Sequence, residues 1–128
     1  ALTPAGLRAR RQALGLSQAE LGDIIDASQA AITQWENGAR APRNPAQVAA
    51  ALAAAEDQLH HFTQQLAQTA KDRADHAGTK VVILTTLSSG SPIDNADLTP
   101  ALHRTATGRA FDQLSQAGYH PIIEDSTP

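Results

Sequence analysis

Histidine, serine and arginine are the side chains here whose types could do chemistry, and their spacing limits what that chemistry can be. His60 and His61 are adjacent and therefore diverge on a helix, while His76, His103 and His120 fall in separate segments. None of these spacings sets two imidazoles on one helical face as metal ligands, so no metal site and no cofactor is expected. Ser88-Ser-Gly-Ser91 lacks both the Gly-x-Ser-x-Gly frame of a nucleophile elbow and the lysine of a phosphate loop, and Ser88 to Pro92 reads as a loop. His103 and Arg104, near Asp97, fit an anion site and fit a solvated helix start equally well. The chain has no cysteine, which removes disulfides, thiolate zinc sites and cysteine nucleophiles together. No catalytic constellation emerges, and the chain reads as a non-enzyme.

The arginines are unevenly placed. Of 128 residues, 13 are acidic and 10 basic, a net charge of −3. Residues 1–43 hold five arginines and a net +1, whereas residues 44–128 carry −4. That balance excludes a tail-driven polyanion binder, whose affinity comes from bulk positive charge, but leaves room for a local basic face. No apolar run approaches the roughly 20 residues that span a bilayer, and the N-terminus lacks the apolar stretch of a signal peptide. A soluble, cytoplasmic protein without membrane contact is expected.

The elements that must position these residues differ between the two halves. In the first half, Thr3 before Pro4 reads as a helix cap with proline at the first helical position, and Gly15 stops that helix. Ser17 with Glu20 forms a capping-box pattern before Leu21, Ile24 and Ile25. Ser28 caps a further helix in which Ile32 and Trp35 share a face, and Asn37-Gly38 closes it. Only Asp26-Ala-Ser28 separates these last two helices. Short helices joined that tightly cross steeply, the geometry that presents the second helix to a DNA major groove.

Arg11-Gln-Ala-Leu-Gly-Leu-Ser-Gln-Ala-Glu-Leu21, then Ser28-Gln-Ala-Ala-Ile-Thr-Gln-Trp-Glu-Asn-Gly38, continuing through Arg40 and Pro42, resembles the helix-turn-helix of the phage lambda and 434 repressor and Cro family, the XRE-type regulators, over residues 3–55. The resemblance implies that Gln29 reads a base, since a glutamine amide can pair bidentately with adenine. It implies that Ser28, Ala30, Thr33 and Gln34 also face the groove, with the Ala30 methyl suited to a thymine methyl. Gln18 would bond a phosphate through its side chain and backbone N–H, and Asn37, Arg40 and Arg43 would approach the DNA backbone, positioning without specifying. Arg11 and Glu36 match a partly buried structural ion pair of the family. Two positions depart from its pattern: Asp26 stands where the turn usually has glycine, and Gly22 where the family usually has alanine. Asp tolerates the left-handed region better than most residues.

From Pro45 to about Ala74 the chain is alanine-rich and free of glycine and proline. Val48, Leu52, Ala55, Leu59, Phe62, Leu66 and Thr69 recur at alternating intervals of 4 and 3, a heptad seam along a helix of roughly 45 Å. Such a stripe needs a partner, either a second copy, with Leu52, Leu59, Phe62 and Leu66 at the dimer interface, or the C-terminal segment of the same chain; the dimer is the expectation. Val81–Leu87 is strongly β-prone, Thr99-Pro100 starts a helix that Gly118 ends, and Tyr119–Glu124 reads as a short strand. This strand-helix-strand segment is too small to stand alone. Paired across a two-fold axis its strands, with Val82 and Leu84, would continue one sheet. The order resembles small phage and plasmid autorepressors, including anti-CRISPR-associated regulators.

The expected fold is mainly α with a small α+β tail: a helix-turn-helix region over 1–43, a long connecting and dimerisation helix over 44–75, and a C-terminal α/β dimerisation element over 76–128. The expected function is a homodimeric (auto)repressor that reads a palindromic operator in double-stranded DNA through the helix at 29–37. Two other classes stay open: an antitoxin-like module whose acidic C-terminal half binds a toxin, and a ligand-responsive regulator with an effector site in that half.

Overall fold

The computed structural model describes residues 2–87 and 98–126. The loop expected from Ser88 to Pro92 and the Asp97 carboxylate lie outside the described residues. The order is α1 (Pro4–Ala13), α2 (Gln18–Ile25), α3 (Gln29–Glu36), α4 (Pro45–Ala77), β1 (Val81–Leu87), α5 (Pro100–Gln116) and β2 (His120–Ser126). Mainly helical with a small parallel sheet, it has the expected fold class. Among the described residues no helix is long and apolar enough to cross a membrane.

Local chemistry sets the helix starts. Thr3, Ser28 and Thr99 each accept from a backbone N–H two or three residues inside their helix, through Gly6 (2.9 Å), Ala31 (3.0 Å) and Leu102 (3.3 Å). At α2 the exchange is reciprocal: Glu20 N–H donates to Ser17 Oγ (3.0 Å) and Ser17 N–H to the Glu20 carboxylate (2.8 Å). These bonds satisfy donors that have no partner inside a helix.

The chain divides into two compact units, Ala1–Asp57 and Gln58–Pro128, so the division falls inside α4. A helix of 33 residues is too long for one small core. Its first turns give Leu52 and Ala55 to the first unit, whose interior also holds Leu7, Leu14, Leu16, Leu21 and Ile32. Its later turns give Ala67, Ala70 and Ala74 to the second, where they pack with Val82, Leu84, Ala110, Leu114 and Tyr119.

The buried stripe of α4 corrects the heptad reading. It runs Leu52, Ala55, Leu59, Thr63, Ala67, Ala70 and Ala74, while Phe62 and Leu66 are half-buried and Thr69 is exposed. Those intervals follow the ~3.6-residue turn of a straight helix, from which a strict 3.5 repeat drifts by about 20° per heptad. Thr63 fits the interior because its hydroxyl donates to the Leu59 carbonyl at 2.7 Å. Leu52 and Leu59 are both 0% exposed within a single chain, and Val82 and Leu84 are buried too. These four expected interface residues pack inside the single chain.

In the second unit β1 and β2 pair in parallel, Val81 opposite His120 through Leu87 opposite Ser126, with α5 as the crossover. Tyr119 fastens the start of β2. Its hydroxyl donates to Asp75 at 2.6 Å, and the Lys80 ammonium sits 4.5 Å above its ring. The bond to the Asp75 carboxylate holds the phenol above its ordinary pKa. His103 is buried on α5 with its ring 5.1 Å from that of Phe62.

The turn between α2 and α3 accommodates both departures from the family pattern. Asp26 sits in the left-handed region (φ 59°, ψ 52°), which brings the chain back so that Ala27 N–H donates to the Gly22 carbonyl at 2.9 Å. Gly22 is buried, and a Cβ there would run into the Ala27 carbonyl oxygen. Sterics should therefore overrule propensity. Gly22→Ala is expected to destabilise the protein by about 1 to 3 kcal/mol despite alanine's roughly 1 kcal/mol helix advantage. Asp26→Gly should stabilise it by about 1 kcal/mol by relieving the left-handed backbone. Urea unfolding of both variants checks the pair, and a Gly22→Ala protein more stable than the parent contradicts the clash.

Candidate nucleic-acid interface

The first unit is organised around one carboxylate. Glu36, in the last turn of α3, is 1% exposed at its side chain. Arg11 of α1 grips it bidentately, Nε to Oε2 at 2.7 Å and Nη2 to Oε1 at 3.0 Å, while Arg11 Nη1 donates to the Leu16 carbonyl at 2.8 Å. Gln18 of α2 donates from Nε2 to Glu36 Oε1 at 3.2 Å. Arg8 adds a weaker tie, its Nε 3.7 Å from the carboxylate and its Nη2 donating to the Glu36 carbonyl at 3.3 Å. A charge this buried is tolerable only with such partners. The Arg11 hydrogen bond dominates and pulls the Glu36 carboxyl below its ordinary pKa, overcoming the upward push of desolvation, with Gln18 and the charges of Arg11 and Arg8 assisting.

This network fixes α3 against α1 and α2, with Ile32 and Glu36 turned inward, and leaves the adjoining face of α3 outward. Gln29, Ala30 and Thr33 are exposed there, three positions that share one helical face. Their hydrogen bonds separate them. The Thr33 hydroxyl donates to Gln18 Oε1 at 2.7 Å and lies 3.0 Å from the Gln29 carbonyl, so its outward chemistry is its methyl. The Ser28 hydroxyl is committed as the α3 cap. Gln34 is half-buried, and its amide oxygen accepts from Arg40 Nη1 at 3.4 Å.

Gln18 stands differently from expectation. Its amide is held at both ends, by Glu36 and Thr33. What it offers outward is its backbone N–H at the first position of α2, one of the donors a helix leaves without an internal partner. Asn37, Arg40 and Arg43 are exposed on the segment after α3, where the Asn37 side chain accepts from Ala39 N–H at 2.8 Å and shapes the turn. Among the described residues neither Arg40 nor Arg43 makes an ion pair, whereas Arg8, Arg10 and Arg11 all do. The half-buried Trp35 ring lines a cavity of about 340 Å³ together with Arg40, Pro42 and Arg43, so that segment lies over the back of α3.

Residues 7–46 match the helix-turn-helix family model. This segment is a DNA-binding helix-turn-helix domain of the XRE type. Among curated proteins none matches the chain. The helix-turn-helix match runs from Leu7, inside α1, through α2 and α3 to the first two residues of α4.

Two ties in this domain have no counterpart in the sequence reading. Arg10 Nε donates to Glu56 at 3.0 Å, joining α1 to α4, and the guanidinium is held above its ordinary pKa mainly by that bond. The Gln18–Thr33 bond links α2 to the outer face of α3. Arg10 sits one position before Arg11 and Glu56 one position after Ala55, so a pairing of basic and acidic neighbours of core residues was the available signal. The Gln18–Thr33 contact depends on how α2 and α3 cross.

The Glu36 network has a pH consequence. A carboxyl whose folded pKa is depressed stabilises the fold fully above its unfolded value, near ~4.3, and loses that contribution as pH falls through the folded value. Glu36→Gln should destabilise the protein at neutral pH by about 3 kcal/mol, because it leaves Arg11 without its counter-charge. It should also flatten the loss of stability below about pH 4. Chemical denaturation from neutral to acidic pH measures both effects. An acid limb unchanged in the variant contradicts the assignment.

Proposed function

We propose that this helix-turn-helix protein is a homodimeric, sequence-specific transcriptional repressor. It inserts α3 of each subunit into successive major grooves of an inverted repeat, about 34 Å apart on one face of the duplex, and occludes its own promoter. The observation that carries this reading is the exposed face of Gln29, Ala30 and Thr33 on a helix that the buried Glu36 network locks in place.

Each contact has a distinct role in the proposal. Gln29, whose side chain is exposed while the neighbouring Ser28 and Thr33 hydroxyls are committed to the α3 cap and to Gln18, pairs its amide with adenine N6 and N7. Ala30 and the Thr33 methyl meet apolar groove edges such as a thymine methyl. Gln18 holds a phosphate through its backbone N–H at the start of α2, and its side chain keeps α3 in register for Gln29. Arg40 and Arg43 contact phosphates and set the height of the domain over the groove, with Asn37 shaping the segment that carries them and Gln34 steadying Arg40.

Selection from a randomised duplex pool, followed by binding at several salt concentrations, tests these roles. Gln29→Ala is expected to relax discrimination at one base pair by about 1 to 3 kcal/mol. Arg40→Ala should weaken all sequences alike and reduce the salt slope by about 1. A Gln29→Ala protein that selects the parent's sequence shows that another residue reads the base. Footprinting upstream of the protein's own gene tests autorepression.

A further inference from the structure

The two-stranded sheet leaves one face bare. Val82 and Leu84 point inward to the core, so by alternation Val81, Ile83 and Thr85 point outward, paired in register with His120, Ile122 and Glu124. Val81 is 47%, Ile83 57% and Ile122 48% exposed, and Ile123, on the other face in register with the buried Leu84, is 42% exposed. Parallel strands are ordinarily covered on both faces, and an apolar strip on open parallel strands is a surface suited to burial.

The free edges are poorer contact sites than the face. His120 N–H donates to the Lys80 carbonyl at 2.7 Å, so the neighbouring Pro121 lies at the outer edge of β2, where it has no N–H to offer. At the outer edge of β1, the Val81 N–H is already taken by Thr79 Oγ1 at 3.1 Å.

Charge on the face is arranged for self-association. The Ile83–Ile122 pair occupies its centre, with His120 at one end of β2 and Glu124 about 13 Å further along the same strand. We propose that this bare face is the contact between two copies of the chain, related by a two-fold axis that runs across the strands through the Ile83–Ile122 pair. That axis lays each isoleucine over its counterpart and sets His120 of each copy against Glu124 of the other, with the sheets about 10 Å apart. A two-fold axis along the strands would instead set His120 over the apolar Val81 and Glu124 over the uncharged Thr85, giving neither an oppositely charged partner. The covered face is two short strands wide, a few hundred Å², well under the roughly 800 Å² per partner of a standard interface. It therefore makes a weak, reversible dimer with a Kd in the micromolar range or above.

The proposal supplies the dimer of the repressor reading but is measured without DNA, by sedimentation velocity of the full chain from about 5 to 500 µM. The parent should pass from monomer to dimer over that range, and Ile122→Glu, at a half-exposed position, should weaken association at least about tenfold with unchanged circular dichroism. Glu124→Lys should also weaken it, and His120→Glu combined with Glu124→Lys should restore it. A parent that stays monomeric throughout, an Ile122→Glu variant that associates like the parent, or a double reversal that fails to recover overturns the proposed face. Two copies bound cooperatively to an inverted repeat despite Ile122→Glu would overturn the face and leave the repressor reading standing. A face-dependent dimer with no preference for any duplex would overturn the repressor reading alone.

Discussion

A buried negative charge is the constraint on which the helix-turn-helix depends. Glu36 carries a carboxylate into the interior of the first unit, where desolvation would make it untenable without compensation. The compensation comes from Arg11 on α1 and Gln18 on α2, with Arg8 nearby, so the partners lie on the two helices that α3 must be held against. Apolar burial of Leu7, Leu21 and Ile32 brings these helices together but tolerates sliding, because hydrophobic contact is non-directional. Bidentate geometry does not tolerate it. The ion pair fixes the rotation of α3 about its own axis, and that rotation decides whether Gln29 faces outward.

The same helix is registered a second time from its outer side. Gln18 donates to Glu36 and accepts from Thr33, so one amide bridges the buried carboxylate and the exposed face of α3. Behind it the Asp26 turn closes tightly enough that Gly22 has no room for a side chain. The two departures from the family pattern are therefore coupled. A left-handed aspartate at the turn directs the Ala27 carbonyl onto α2, and glycine at position 22 accommodates it. Strain at Asp26 and lost helix propensity at Gly22 are both costs, and what glycine avoids is the clash with the Ala27 carbonyl.

What was legible in the sequence was local. Thr3, Ser17, Ser28 and Thr99 announce their helices because a cap is a bond within three residues, and the structure has all four bonds. Val81–Leu87 and the start of α5 follow from equally short-range signals. The stripe of α4 was misjudged because seven seam positions span too few turns for a 3.5 and a 3.6 repeat to separate by eye. Thr63, Ala67 and Ala70, small or polar, do not look like core until α5 and the sheet are seen to cover them. In the candidate interface, the Arg11–Glu36 pair was legible through the family's motif. The engagement of the Gln18 amide was not, since its donor to Glu36 and its acceptor from Thr33 meet only after three helices have crossed.

The distribution of cations constrains how such a domain can bind DNA. Arg8, Arg10 and Arg11 are engaged by Glu36 and Glu56, which leaves Arg40 and Arg43 as the arginines of residues 1–43 without an ion pair among the described residues, in a chain of net charge −3. Each phosphate contact contributes through counterion release, so few such contacts mean weak non-specific binding. In the proposed dimer, discrimination then rests on base contacts made twice. A weak sheet-face contact suits that arrangement: free chains are mostly single at low concentration, and two half-sites at the right spacing hold two copies at an effective concentration near millimolar. The duplex itself then selects the dimer. Half-sites at the wrong separation gain nothing from the second copy, so an interface too small to be stable alone makes spacing part of what is read.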